Sequence, residues 1–169
     1  MIFWIILNLK EKKTKKFFNL EKRSLIFNFL IVLVFLQIVF GAFVSGLDAG
    51  RVYQSWPLMN ETYSPDDVNL DKIIYLLNFN DQSLIQFYHR NIAYLIIIYV
   101  LFLGIYIYKN KINYLLNHYY IVLTFIFFQI VLGIFTLLSG LNIYLASAHQ
   151  IGSLLLILSV INLHYRQIN

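Results

Sequence analysis

The sequence predicts an all-α integral membrane protein: a four-helix bundle built from two helix-pair repeats, with a long outer loop between the first two spans. Three observations carry this. Of 169 residues, 60% are hydrophobic and 12% charged, about half the charged share of a soluble domain. Such a chain cannot hide its apolar surface in one water-soluble core. The apolar residues gather into four runs, each long enough to cross roughly 30 Å of hydrocarbon at about 1.5 Å per residue. The runs also repeat in pairs. Cysteine is absent, which excludes disulfides, thiolate metal sites and cysteine catalysis.

Taken in order, residues 1–9 are apolar but shorter than the roughly 20 residues of a span. No basic stretch precedes them and no small-residue cleavage site follows, so they do not read as a signal peptide. They suit the tail of a helix or an interfacial anchor. Lys10, Lys12, Lys13, Lys15, Lys16, Lys22 and Arg23 make a basic connector, and residues 1–23 form one unit ahead of the bundle at 24–169. Beside a span, such a run is first a topology signal, with lipid or nucleic-acid binding as the lesser readings. The spans are expected at about 24–46, 87–108, 116–138 and 146–165.

Charge sets the orientation. The basic connector, Lys109, Lys111 and Arg166 fall on one side. Arg51, Lys72 and Arg90 fall on the other with six of the eight acids, Asp48, Glu61, Asp66, Asp67, Asp71 and Asp81. The positive-inside rule puts both termini inside and the 47–85 and 139–145 loops outside. This layout, rather than a basic patch for nucleic acid, explains the net charge of +5. In the long loop, Pro65 followed by two acids suits a helix start. Residues 68–77 alternate as an amphipathic helix lying on the membrane surface, and a loop of this length is more often functional than a plain connector.

The internal repeat is specific. Gln37-Ile38-Val39-Phe40-Gly41-Ala42-Phe43 in the first span matches Gln129-Ile130-Val131-Leu132-Gly133-Ile134-Phe135 in the third. Each copy is followed by Ser-Gly, then by a helix headed by histidine, His89 or His149. Both histidines fall at the outer entry of their helices. Duplicated helix pairs tend to place a ligand between the copies. A lone interfacial histidine is usually a polar anchor; two at matching repeat positions point to function. Neutral imidazole is a common axial ligand of haem, and two would saturate the iron, favouring electron transfer over oxygen binding. Gly41 and Gly133 either admit a flat macrocycle or simply pack helices. Arg90 is an interfacial anchor or a propionate partner, and Gln150 is a candidate outer-shell hydrogen bonder of His149. Gln37 and Gln129 can bond between helices and carry no assigned chemistry. His118 and His164 lie at the inner face, related by no repeat, and stay unassigned.

Several ordered motifs resemble the second half of the haem A synthase family. These are Gly41-Ala42-Phe43-Val44-Ser45-Gly46-Leu47-Asp48-Ala49-Gly50 with Tyr53 and Trp56-Pro57-Leu58-Met59, then Gln86-Phe87-Tyr88-His89-Arg90, then Gln129-Ile130-Val131-Leu132-Gly133-Ile134 with Ala148-His149-Gln150-Ile151-Gly152-Ser153. The likeness runs from about residue 40 to 153 and is most similar to the bacterial and mitochondrial branch without loop cysteines. It implies eight spans in two four-helix halves, and oxidation of a methyl group of haem O to the formyl group of haem A. The first half of the family carries the substrate-haem histidines and a catalytic glutamate. The second holds an electron-transferring b-type haem through two histidines, here at His89 and His149.

The resemblance covers the second half alone. It therefore implies as partners a first half or its separate subunit, haem O bound there, membrane lipid and an electron partner. The location would be a bacterial plasma membrane or the mitochondrial inner membrane. Two other readings stay open: a stand-alone membrane b-type cytochrome for another redox partner, and an assembly subunit without cofactor.

Overall fold

A computed structural model describes residues 2–19, 21–68 and 76–168. Five helices form among them: α1 (Ile2–Glu11), α2 (Lys22–Gly46), α3 (Gln82–Lys109), α4 (Leu116–Leu138) and α5 (Ile143–Gln167). Short 3₁₀ turns lie at Ala49–Arg51 and Asn113–Leu115, and no strand forms among the described residues. Four helices are long and apolar enough to cross a membrane, and no more than 22% of each apolar window is buried inside the chain. Helices this apolar on their outward faces need lipid around them. The chain is an integral membrane helical bundle.

α2 packs on α3 and α4 on α5, so the sequence repeat is also a structural pair of pairs. The pairs meet mainly along α2 and α5. The close-packed core uses the i, i+3/i+4, i+7 spacing of one helix stripe: Phe27, Leu30, Leu33 and Val34 on α2, Ile96, Val100, Leu103 and Ile107 on α3, Tyr119, Val122 and Ile126 on α4, and Leu156, Val160 and Leu163 on α5. All of these lie toward the lysine-rich end. In the half toward the acid-rich loop the packing changes: none of residues 35–46, 87–95, 127–138 or 143–155 is buried.

α3 and α5 begin earlier than the hydropathy suggests, and both have polar caps. Asp81 Oδ1 accepts from the Leu84 amide at 2.9 Å, and Asn142 Oδ1 accepts from the amides of Tyr144 and Leu145. Such caps satisfy otherwise orphaned helix N–H groups. His89 and His149 therefore lie about two turns into their helices, about 10 Å from the first residue, rather than at the entry. The expected surface helix at 68–77 falls mainly on residues 69–75, outside the described residues. Pro65 is buried and residues 65–68 are not helical.

At the lysine-rich end, α1 packs Trp4 and Leu7 against Tyr165 of α5. His164, fully buried, explains this seam. Its Nε2 meets the Phe17 carbonyl at 3.1 Å and its Nδ1 meets Gln167 Nε2 at 3.4 Å. Nε2 therefore carries the proton and Nδ1 accepts, so neither nitrogen is free for a metal. His118 Nδ1 is engaged by Asn162 Nδ2 at 3.3 Å.

Candidate functional site

The loosely packed half is bounded by the two repeat copies and roofed by the long loop. In the first copy, α2 lays Gly41 against the His89 imidazole: a Cβ on Gly41 would stand 3.2 Å from His89 Cε1. In the second, α4 lays Gly133 against His149, where a Cβ would stand 3.1 Å from Cε1. The backbone of Gln37 flanks His89 and that of Gln129 flanks His149. Each histidine thus sits over the glycine of its own repeat, one turn beyond the repeat glutamine.

Polar accounting marks both rings as incomplete. Nδ1 of His89 and Nδ1 of His149 are buried and have no hydrogen-bond partner. An unmet buried donor or acceptor costs about 1–3 kcal/mol, and native structures seldom leave such groups orphaned without reason. The two recur on separate helices at matching repeat positions, each turned toward its own glycine, with Nδ1 3.7 Å from a Cβ on Gly41 in the first copy and 3.6 Å from one on Gly133 in the second. Among the described residues no cluster of three or more His, Asp or Glu side chains is suited to a bare ion.

The copies are not equivalent. Gln37 Nε2 lies 3.2 Å from His89 Nε2, while Gln37 Oε1 is buried without a partner. Exchanging the amide's oxygen and nitrogen would let Oε1 accept from a protonated Nε2, so Gln37 can serve either tautomer. Gln129 takes another course. Its side chain lies on Gly152, so closely that a Cβ there would clash with Nε2. The position equivalent to Gly152, three residues after His89, is Ile92, whose side chain packs on the core. Sequence reasoning left Gln37 without chemistry, although its place in the repeat, one turn before Gly41, was a usable signal.

Arg90 is committed to the loop. Nη1 donates to the Leu58 carbonyl at 3.1 Å, and Nη2 donates to the carbonyls of Tyr53 and Ser55 at 3.2 and 3.0 Å. Of the five guanidinium N–H groups, Nε–H and one on Nη1 remain. Gln86, buried one turn before His89, donates to the Tyr53 carbonyl at 2.8 Å, and Gln82 Nε2 donates to the Leu47 carbonyl at 2.5 Å. Gln150 is exposed and makes no side-chain hydrogen bond among the described residues. One position along a helix turns about 100°, which carries it off the His149 face.

Around this frame the loop folds on a buried tyrosine. Tyr53 Oη bridges Asp66 Oδ1 at 2.5 Å and Asp67 Oδ1 at 2.8 Å, and Ser83 Oγ of α3 donates to Asp67 Oδ2 at 2.6 Å. Burial, then the two carboxylates, push the Tyr53 phenol above its ordinary value. Gly50 packs on Leu141 so tightly that a Cβ would come within 2.8 Å of Cδ2, which fastens the long loop to the 139–145 connection. Asp48 reaches only an exposed ion pair with Arg51 at 3.7 Å.

Comparison with known proteins bears on residues 1–161, which match a family model described as cytochrome oxidase assembly protein. A protein named heme A synthase from Pelagibacter ubique is 42% identical over all 169 residues, which cover 49% of that relative. Proteins of the same name from Wolbachia pipientis wMel and Rickettsia africae are 39% and 37% identical over 75% and 83% of this chain, covering 35% and 42% of those relatives. The chain spans about half the length, or less, of these curated relatives. No solved structure matches it.

Proposed function

Because the chain belongs to the cytochrome oxidase assembly protein family, with heme A synthases as its relatives, we propose that it is the haem-b-binding half of a haem A synthase. The complete enzyme would oxidise the methyl group of haem O to the formyl group of haem A. This half would hold a b-type haem and pass electrons. The observation that carries the reading is the pair of imidazoles on α3 and α5 at matching repeat positions, each laid against the glycine of its own repeat. They stand in a bundle half where no spanning residue is fully buried.

His89 and His149 would hold the iron from two sides of the bundle, and Gly41 and Gly133 set the depth of the two imidazoles. A bound haem would supply a reversible one-electron carrier there. The chain's own residues do the remaining work. The helices fix two ligand rings in advance, which lowers the ordering cost of binding. Gln37 orients the His89 ring through its contact at Nε2. The loop, pinned by Arg90 and Gln86, covers the acid-rich end against water. The two unspent Arg90 donors suit a propionate at that surface.

No acid lies among the half-buried residues of the two repeat copies. The oxidation itself and the binding of haem O therefore belong to a companion half or subunit. The lysine-rich end would face the cytoplasm or the mitochondrial matrix.

The test is to produce the chain with haem supply, purify it in detergent and record the reduced absorption spectrum. A six-coordinate b-type signal is expected, and it should be lost in His89→Ala and in His149→Ala. A colourless protein, or a spectrum unchanged in both variants, removes the assignment.

A further inference from the structure

The lysine-rich end holds a second concavity, remote from the histidine pair. It is an open cavity of about 790 Å³ whose lining includes Lys12, Lys13, Lys15, Lys16, Phe18 and Asn19. No acidic side chain lines it among the described residues, and the nearby Glu11 is paired with Arg166 at 2.5 Å. A topology signal needs only positive charge in a loose segment; here the chain builds a shape around the charge. Trp4 Nε1 and Asn8 Nδ2 both donate to the Lys15 carbonyl, at 2.8 and 3.0 Å, and the Lys15 amide donates to Asn8 Oδ1 at 3.1 Å. His164 fixes the next turn through the Phe17 carbonyl. The basic loop is therefore held in place by α1 and α5 before any ligand arrives, and the ordering cost of binding falls accordingly.

The four lysines have different tasks. Lys15 Nζ donates to the carbonyls of Tyr165 and Ile168 at the end of α5 and lies over the Tyr165 ring, 4.6 Å from its centroid. It finishes the helix, as a cation at a C-terminus does. Lys12, Lys13 and Lys16 have no ion pair among the described residues. On the rim stands Phe18, 76% exposed, an aromatic at the level where a bundle meets lipid head groups.

We propose that this cavity binds the phosphate of an anionic phospholipid head group. Lys12, Lys13 and Lys16 supply the charge, and Phe18 lies along the glycerol and upper acyl region. The exposed ring beside the cations favours a lipid over free phosphate, which would gain nothing from it. Crowding fits the same picture. Burial, then the neighbouring Lys13 charge, lowers the Lys15 ammonium below its ordinary value, and an added anion would relieve that repulsion.

Native mass spectrometry of the full chain in neutral detergent tests this, with phosphatidylglycerol and phosphatidylcholine titrated separately. One saturable phosphatidylglycerol is expected, with no matching phosphatidylcholine site. A lysine beside an anionic head group contributes about fivefold, so Lys12→Gln, Lys13→Gln and Lys16→Gln together should weaken the site about a hundredfold. A control triple on the same end, Lys22→Gln, Lys109→Gln and Lys111→Gln, should stay within a few-fold of the parent. Equal losses in both triples, or binding that never saturates, would mean surface attraction alone and would overturn the site. Thermal unfolding with inorganic phosphate separates the sources. Stabilisation by phosphate equal to that by the lipid would overturn the lipid assignment, and a clear excess for the lipid would support it.

Discussion

Adding a single methyl group at Gly41 or at Gly133 is the sharpest probe of the histidine site, because the two additions should behave differently. A Cβ at Gly41 would meet His89 Cε1 at 3.2 Å, and one at Gly133 would meet His149 Cε1 at 3.1 Å. Carbon pairs prefer about 3.5–4.0 Å, so each ring must yield by roughly 0.3–0.9 Å. His149 has no side-chain hydrogen bond among the described residues and is the freer of the two rings to tilt. His89 is engaged by Gln37 at 3.2 Å and cannot tilt without weakening that contact. Gly41→Ala should therefore carry the overpacking cost of about 1–3 kcal/mol, or roughly 5–150-fold weaker haem binding. Gly133→Ala should lose less than about fivefold.

The assay is titration of haem into the haem-free chain in detergent, followed by the reduced spectrum. Alanine is the better helix former, by about 0.8–1 kcal/mol in helix interiors, so a general folding defect is not the expected cause of weaker binding. Gln37→Ala placed on Gly41→Ala should recover part of the loss by freeing the ring. Equal affinities for the two single variants, or a greater loss for Gly133→Ala, would refute the reasoning.

Two further predictions concern the loop. Arg90→Ala removes three charge-assisted hydrogen bonds, although the Tyr53 carbonyl keeps Gln86 and the Leu58 carbonyl keeps Ser55 Oγ, and should destabilise the loop by about 1.5–3 kcal/mol. Hydrogen exchange should quicken more than tenfold at residues 53–59, and Arg90→Lys should restore only part of the protection, because an ammonium lacks the planar fork. Tyr53 gives a pH dependence. Its phenol is raised in the folded chain, so its contribution to stability is full below the ordinary tyrosine value of about 10 and falls as pH climbs above it. Thermal unfolding between pH 8 and pH 11 should show this fall, and Tyr53→Phe should flatten it.

The spans and the histidine pair were legible because hydropathy and an internal repeat are properties of the chain itself. Each expected span overlaps an observed helix, and each histidine lands beside the glycine of its own repeat. Helix starts were less visible because a cap is a polar residue outside the apolar run. Asp81 and Asn142 extend α3 and α5 into what reads as loop, and so carry the histidines inward. The role of Arg90 was hidden because its partners are backbone carbonyls of Tyr53, Ser55 and Leu58, which have no signature in residue type. Gln37 and Gln129 occupy one repeat position, yet their contacts diverge through Ile92 and Gly152, on helices that only the folded bundle brings alongside. His164 stays unassigned in the sequence because its partners, the Phe17 carbonyl and Gln167, meet it only through tertiary packing and the last helix turn.

That divergence bears on how a duplicated scaffold acquires polarity. Gln37 rests on an imidazole, whereas Gln129 rests on a bare stretch of backbone at Gly152. A molecule lodged between the two copies would therefore meet a hydrogen-bonded ring on one flank and an unassisted one on the other. The two imidazoles would then differ as donors although their residue types are the same. Ancestral symmetry is broken here by a neighbour's bulk, and the first coordination sphere itself need not change.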